Sequence, residues 1–99
     1  MIKRQYIRIP NDNNLGRGAP IGLVIMDKTH DGNINMGFSL CSTNDTFSKE
    51  RANTIAQGRF DSGRYRGSDP ESILNNHFER NSSIFDILNV ANNVFNRLK

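Results

Sequence analysis

The sequence has little of what most enzymatic sites require. Its 99 residues include no Trp, three Pro, one Cys and two His. A lone cysteine cannot form an internal disulfide, and Cys41 has no evident base beside it that would make it a nucleophile. His30 and His77 are far apart and lack the cysteine or acid spacing of a metal site. We therefore expect no enzymatic activity, no metal and no cofactor, and a function in binding.

A long apolar run is also missing. Only 35% of the residues are hydrophobic, the mean hydropathy is -0.61, and no segment resembles a signal peptide or a membrane span. We expect a cytoplasmic protein without a membrane partner. Residues 1–99 suffice for one domain with a modest core, which homo-oligomerisation into a dimer or a larger assembly would complement.

The charge balance is slightly basic. The chain has 13 Lys and Arg against 10 Asp and Glu, which gives a formal net charge of +3. The excess lies in the N-terminal strand and between Lys49 and Arg66. A local excess of base favours an anionic partner such as a nucleotide, a nucleic acid or phosphate, although ordinary soluble proteins also carry such a charge.

The N-terminal part of the chain predicts an antiparallel sheet. The segment from Lys3 to Ile9 alternates like a strand and stops at Pro10, as strands at a sheet edge do. Residues 11–20 are rich in Asn, Gly and Pro and predict an irregular connection. Next, Asp31-Gly32 predicts a two-residue hairpin turn. In that register Ile25 lies opposite Phe38.

The second part predicts helices. The spacing from Phe47 to Gln57 is helical, with an N-cap at Asp45, Thr46 or Ser48 and a stop at Gly58. Residues 59–68 predict a loop. Asp69-Pro70 begins a second helix, and a third starts near Ser82 or Ser83 with a broad apolar stripe. The fold class is therefore α+β, an antiparallel sheet followed by two to three C-terminal helices.

The junction between the second hairpin strand and the first helix is a candidate anion site. A helix N-terminus offers backbone N–H groups to an anion, and hydroxyls and cations cluster beside it. The hydroxyl-bearing residues there are Ser39, Ser42, Thr43, Thr46 and Ser48, and the basic ones are Lys49, Arg51 and Arg59. The competing interpretation is a capped, solvated turn, and Asp45 fits best as a cap.

Arginines and aromatics alternate in the predicted loop that follows. Arg59, Arg64 and Arg66 surround Phe60 and Tyr65, a composition that suits phosphate pairing and stacking on a base. The competing interpretation is a solvated connector.

The C-terminal helix has a polar face opposite its apolar stripe. Asn92 and Arg97 lie on that face and would contact a nucleotide if the face lined a cleft between subunits. The competing interpretation is an ordinary solvent-exposed face.

The candidate junction carries a resemblance. The residues GFSLCS at 37–42, Asp45, Phe47-Ser48-Lys49, Ile55-Ala56 and Gly58-Arg59 resemble a pattern in small phage proteins, the first Thoeris anti-defence family. Members of that family sequester cyclic ADP-ribose-type signals made by bacterial TIR-domain proteins. The resemblance implies a sheet followed by helices, assembly into oligomers, and a nucleotide held near subunit interfaces by arginine and aromatic side chains.

These observations predict a non-enzymatic phage protein that binds and sequesters a cyclic ADP-ribose-type nucleotide. We expect Lys49, Arg59, Arg64 and Arg97 to meet phosphate, and Phe60, Tyr65 and Asn92 to contact the rest of the ligand. Two alternatives use the same surface, a small DNA- or RNA-binding regulator and an inhibitor of a host protein.

Overall fold

The predicted α+β arrangement is confirmed. The computed structural model describes residues 1–8, 20–41, 46–78 and 82–98. Its elements in chain order are β1 (Lys3–Arg8), β2 (Pro20–Lys28), β3 (Ile34–Leu40), α1 (Lys49–Ser62), β4 (Arg66–Gly67), α2 (Pro70–His77) and α3 (Ser82–Leu98). The four strands form one antiparallel sheet in the order β1-β2-β3-β4.

The hairpin turn is one residue longer than predicted. Lys28 pairs with Ile34, the Thr29 N–H donates to the Asn33 carbonyl at 2.9 Å, and Gly32 has φ 85. This is the three-residue loop in which a turn is followed by a left-handed glycine. Asp31 fixes it by accepting hydrogen bonds from the Thr29 hydroxyl and the Asn33 N–H. These two bonds, the Thr29 one first, hold the pKa of Asp31 below its usual range.

The longer turn moves every cross-strand pair by one residue. The predicted pairing of Ile25 with Phe38 is wrong, because Phe38 lies opposite Val24 and Ile25 lies opposite Gly37. Ile25 and Phe38 therefore point to opposite faces of the sheet. Both faces are covered, and Leu23 to Met26 are each at most 2% exposed. A strand buried on both faces has a continuous apolar run, as β2 does.

Helix α1 covers one face of the sheet and packs directly on the backbone of β3. Ala52 and Ala56 lie on the helix side of this contact, against Leu23 and Ile25. A Cβ atom added to Gly37 would stand 2.1 Å from the Ala56 carbonyl oxygen. Glycine is therefore required at this position by the closeness of the helix and not by its own backbone angles.

Helices α2 and α3 cover the other face. Val24, Met26, Met36 and Phe38 contribute the sheet side of this larger core. The helices contribute Ile73, Leu74, Ile84, Ile87, Ala91 and Val94. The apolar stripe predicted for the C-terminal helix is thus used inside the chain, against β1 and β2.

Helix α1 begins as predicted and ends later. Of the three candidate caps, Ser48 is the N-cap, and its hydroxyl accepts from the Arg51 N–H. The predicted stop at Gly58 is wrong, because the helix continues to Ser62 and is capped by Gly63, which has φ 68. Phe60 packs against the core in the extra turn. This contact outweighs the helix-propensity cost of having Gly58 inside the helix.

Two further boundaries differ from the predictions. The predicted loop at 59–68 is divided between the last turn of α1 and β4, which pairs with Ile34 and Asn35. The predicted connection at 11–20 lies outside the described residues except for Pro20, which begins β2. The cap at Asp69 is confirmed by its hydrogen bond from the Ser72 N–H at 2.8 Å. Within the described ranges, no helix is long and apolar enough to cross a membrane.

Two glycines give a matched test of this packing. Gly37→Ala must push α1 away from β3, and we expect a loss of about 1–3 kcal/mol or more in the free energy of unfolding. Gly58→Ala adds a Cβ that meets nothing within 4 Å, and we expect a gain of about 0.5–1 kcal/mol from helix propensity. Urea denaturation of both variants measures the difference. A harmless Gly37→Ala would show that α1 does not pack on the sheet as described.

Candidate functional site

A groove with several cations runs along the free edge of β1. It has a volume of about 560 Å³ and is lined by Arg4, Gln5, Tyr6, Arg8 and Arg97. Arg4 and Tyr6 lie opposite Ile25 and Leu23, on the face that α1 covers. Gln5 lies opposite Val24 on the other face. The groove therefore joins side chains from both faces around the strand edge.

Neutral side chains hold two of these arginines. Arg4 donates to the Gln57 amide oxygen at 2.7 Å and, more weakly, to that of Asn53 at 3.5 Å. Arg97 of α3 donates to the amide oxygen of Gln5. An amide oxygen orients a guanidinium without cancelling its charge. Both arginines therefore keep their attraction for an anion.

Tyr6 connects the groove to the N-terminus of α1. The Lys49 ammonium lies 5.4 Å from the centre of the Tyr6 ring, and the Arg8 guanidinium carbon lies 5.8 Å from it. The ring of Phe47 meets Tyr6 edge to face at 6.3 Å. Both cations lie within the range of cation–π attraction, so the aromatic ring helps to gather positive charge at the groove.

A second cavity, lined in part by Phe47, lies at the predicted strand-to-helix junction. This junction pocket has a volume of about 230 Å³. It is lined by Ser39, Leu40, Cys41, Thr46, Phe47, Ser48, Arg51, Ala52 and Ile55. It contains predicted members of the anion site, Ser39, Thr46, Ser48 and Arg51. Three others, Ser42, Thr43 and Asp45, lie outside the described residues.

Arg59 is bound to the sheet and lies in neither cavity. Its guanidinium donates to the Phe38 carbonyl oxygen at 2.8 Å and lies 4.8 Å from the centre of the Phe38 ring. β4 pairs with β3 only at Ile34 and Asn35. Arg59 therefore serves as a hydrogen-bond donor to the outer edge of β3 beyond the end of β4.

The two predicted stacking residues also pack inside the chain. Phe60 is half-buried against the cluster formed by α1 and the sheet. Tyr65 meets Phe38 edge to face at 5.0 Å and stacks on Phe78 at 6.3 Å. Arg64 between them is exposed, and its backbone N–H donates to the Ser62 hydroxyl at 3.3 Å.

The seven predicted site residues do not form one site in a single copy of the chain. Lys49 flanks the groove and Arg97 lines it. Asn92 is exposed on α3, and neither cavity includes it. Arg59, Phe60, Arg64 and Tyr65 lie near the outer edge of β3, on the far side of β2 from the groove.

The groove residues that the sequence analysis missed lie in β1. Arg4, Tyr6 and Arg8 occupy alternate positions of the segment KRQYIR, and alternate residues of a strand share a face. That pattern was the available signal. Arg97 was predicted as a phosphate contact, but its partner Gln5, which is 92 residues away in the chain, was not predicted.

Comparisons with known proteins assign no family. No protein-family model, no curated protein and no solved structure matches this chain. Within the described residues, no group of three or more His, Cys, Asp or Glu side chains could hold a metal ion. The chemistry of the site must be inferred from the groove and the pocket themselves.

The structural role of Arg59 can be tested against Arg64. Arg59→Ala removes a charged donor from the Phe38 carbonyl, and we expect a loss of about 1.5–3 kcal/mol in the free energy of unfolding. Arg64→Ala removes an exposed side chain and should change it by less than about 0.5 kcal/mol. Urea denaturation measures both. Equal, small effects would contradict the structural assignment of Arg59.

Proposed function

We propose that this protein binds and sequesters a phosphate-bearing, nucleotide-type ligand in the groove along β1. The observation that carries the proposal is the convergence of Arg4, Arg8 and Arg97 on one groove, with Lys49 beside it. Guanidinium groups pair with phosphate through two parallel hydrogen bonds. A ligand with two phosphates would engage several of these groups together.

The composition of the groove favours binding without chemical change. Arginine does not lose its proton in proteins, and the glutamine amide does not titrate. Among the described residues that line the groove, none has a carboxylate, imidazole or thiol to act as general acid, general base or nucleophile. Tyr6 adds an aromatic surface beside the cations, which suits a base or a ribose. We propose that the ligand is held and released intact.

The resemblance at residues 37–59 supplies the ligand class to test first. It implies a phage counter-defence protein that sequesters cyclic ADP-ribose-type signals, acts in the host cytoplasm and forms homo-oligomers. The positive charge of the groove supports this ligand class, since such ligands carry two negatively charged phosphates. Assembly through paired β1 edges is disfavoured, because it would bring arginines of two copies together. An oligomer would use another surface.

Isothermal titration with cyclic ADP-ribose, ADP-ribose and adenosine tests the proposal. We expect both phosphorylated ligands to bind and adenosine, which lacks phosphate, to bind at least tenfold more weakly. Arg4→Gln and Arg97→Gln should each weaken binding about 10- to 100-fold, as expected for a lost charge-assisted hydrogen bond. Arg64→Gln is the matched control and should leave affinity unchanged. Thermal unfolding of each variant checks that the fold survives.

Mass spectrometry completes this test. Ligand released by heating the complex should have its original mass, and native spectra give the number of chains and ligands together. Conversion of the ligand to a product would contradict sequestration. Equal affinity for adenosine, or no effect of the Arg4 and Arg97 variants, would contradict the groove as the site. Tight binding of unrelated DNA or RNA that falls steeply with salt would favour the nucleic-acid regulator instead.

A further inference from the structure

The hydrogen-bond pattern of the sheet leaves the outer edge of β1 open. In an antiparallel sheet, alternate residues of a strand bond the neighbour on one side. The Cys41 N–H donates to the Ile21 carbonyl oxygen at 2.7 Å, so the odd-numbered residues of β2 bond towards β3. The even-numbered residues therefore bond towards β1, as Val24 does with its partner Gln5. The odd-numbered residues of β1 are thus paired inside the sheet.

The backbone groups of Arg4 and Tyr6 point away from the sheet. Both residues are even-numbered members of β1 and line the groove. Their two N–H and two C=O groups have no hydrogen-bond partner among the described residues. Residues two apart repeat about every 6.6–6.8 Å along a strand. The groove therefore contains a row of unpaired donors and acceptors at the repeat of a β-strand, which is a template for pairing with another strand.

This row suits a peptide backbone better than a phosphate. An ionised phosphate brings hydrogen-bond acceptors, so the outward carbonyl oxygens would repel it. An extended peptide supplies both N–H and C=O groups at the matching repeat and can add to an open sheet edge as a further strand. The arginine side chains of the groove suit either ligand, whereas its backbone edge suits only the peptide.

The charge beside the edge determines which peptide fits. Arg4 and Lys49 lie on the face of the sheet that α1 covers, and Arg97 comes from α3 on the other face. Side chains of an added strand alternate between the two faces, so acidic ones would meet a cation on either face. Among the described residues that line the groove, none is acidic. The charge that opposes pairing with most strands, a second copy of β1 included, therefore favours an acidic strand.

We propose that the free edge of β1 binds a short acidic segment of another protein as an added β-strand. The peptide backbone pairs with the outward groups of Arg4 and Tyr6, and its carboxylates meet Arg4, Lys49 and Arg97. This inference goes beyond nucleotide binding and does not rest on it. Both ligands use the same arginines, so they should compete for the groove.

Three blocked pentapeptides separate backbone pairing from charge. The first, acetyl-VEDEV-amide, places carboxylates on both faces of an added strand. The second has the same sequence with methylated backbone nitrogens at the Asp and the Glu that follows it, which keeps the charge and blocks pairing in either register. The third, acetyl-VKKKV-amide, reverses the charge. In NMR titrations we expect the first to bind about tenfold more tightly than either of the others, as lost hydrogen bonds and lost charge pairs require.

Amide hydrogen exchange reports the added strand directly. Saturating acetyl-VEDEV-amide should slow exchange of the Arg4 and Tyr6 N–H groups at least fivefold, because they become hydrogen-bonded. The Gln5 N–H, which already bonds towards β2, is the internal control and should change little. Cyclic ADP-ribose should not slow exchange of Arg4 and Tyr6, since it offers their carbonyl oxygens no strand backbone.

Two substitutions at one position give a matched test. Arg4→Ala removes the guanidinium, whereas Arg4→Pro removes the guanidinium and the outward N–H together. Proline is tolerated on an edge strand where its nitrogen faces solvent. We expect acetyl-VEDEV-amide to bind Arg4→Ala about five- to tenfold more weakly than wild type and Arg4→Pro at least a further fivefold more weakly. Arg64→Ala is the remote control and should bind as wild type does.

The proposal is overturned if acetyl-VEDEV-amide does not bind, or if its N-methylated form binds equally well, which would show attraction by charge alone. It is also overturned if the Arg4 and Tyr6 amides exchange at an unchanged rate at saturation. If Arg4→Pro does not fold, the methylated peptide still decides the question. Failure of cyclic ADP-ribose to bind would contradict the proposed nucleotide function alone, and failure of the peptide would contradict this inference alone.

Discussion

The close contact between α1 and β3 at Gly37 is the constraint on which the rest of the structure depends. The helix lies so near the strand that a single added carbon atom would stand 2.1 Å from a helix carbonyl oxygen. This contact covers one face of the sheet, while α2 and α3 cover the other. A three-layer arrangement buries the central part of β2, residues 22–26, and so provides a core in a chain with few hydrophobic residues.

The placement of α1 also determines where the cavities lie. Its flank carries Asn53 and Gln57, which orient Arg4 in the groove, and its N-terminus forms one wall of the junction pocket. Its C-terminal turn carries Arg59 to the outer edge of β3. The outer edges of β3 and β1 therefore differ. β4 and Arg59 form hydrogen bonds with the outer edge of β3. Arginine side chains line the edge of β1, and their charge opposes pairing with other strands.

Features that depend on neighbouring residues were predictable from the sequence. The antiparallel hairpin, the caps at Ser48 and Asp69 and the order of strands before helices are local patterns. Features in which packing decides between two allowed local structures were not predictable. Asp-Gly occurs in two-residue and three-residue turns, and here the hydrogen bonds of Asp31 fix the three-residue turn. Gly58 can end a helix or lie inside one, and the contacts of Phe60 select the second.

The candidate site was the least predictable part. Its main residues come from β1 and α3, which meet only in the folded chain. Three of the seven predicted residues, Arg59, Phe60 and Tyr65, pack inside the chain. The junction was found from the sequence because its hydroxyls and cations are close in the chain, but the burial of Ser39 required the structure. Charge density in the sequence therefore pointed to the junction, whereas the groove along β1 became visible only in the fold.

The most direct test of the central claim is an NMR titration that observes the arginine side-chain Nε–H signals with cyclic ADP-ribose. Phosphate contacts shift and sharpen such signals, because the guanidinium is held by new hydrogen bonds. The account predicts that the signals of Arg4, Arg8 and Arg97 change together at one ligand concentration, while those of Arg59 and Arg64 stay in place. Changes confined to Arg59 and Arg64, with the β1 arginines unaffected, would contradict it.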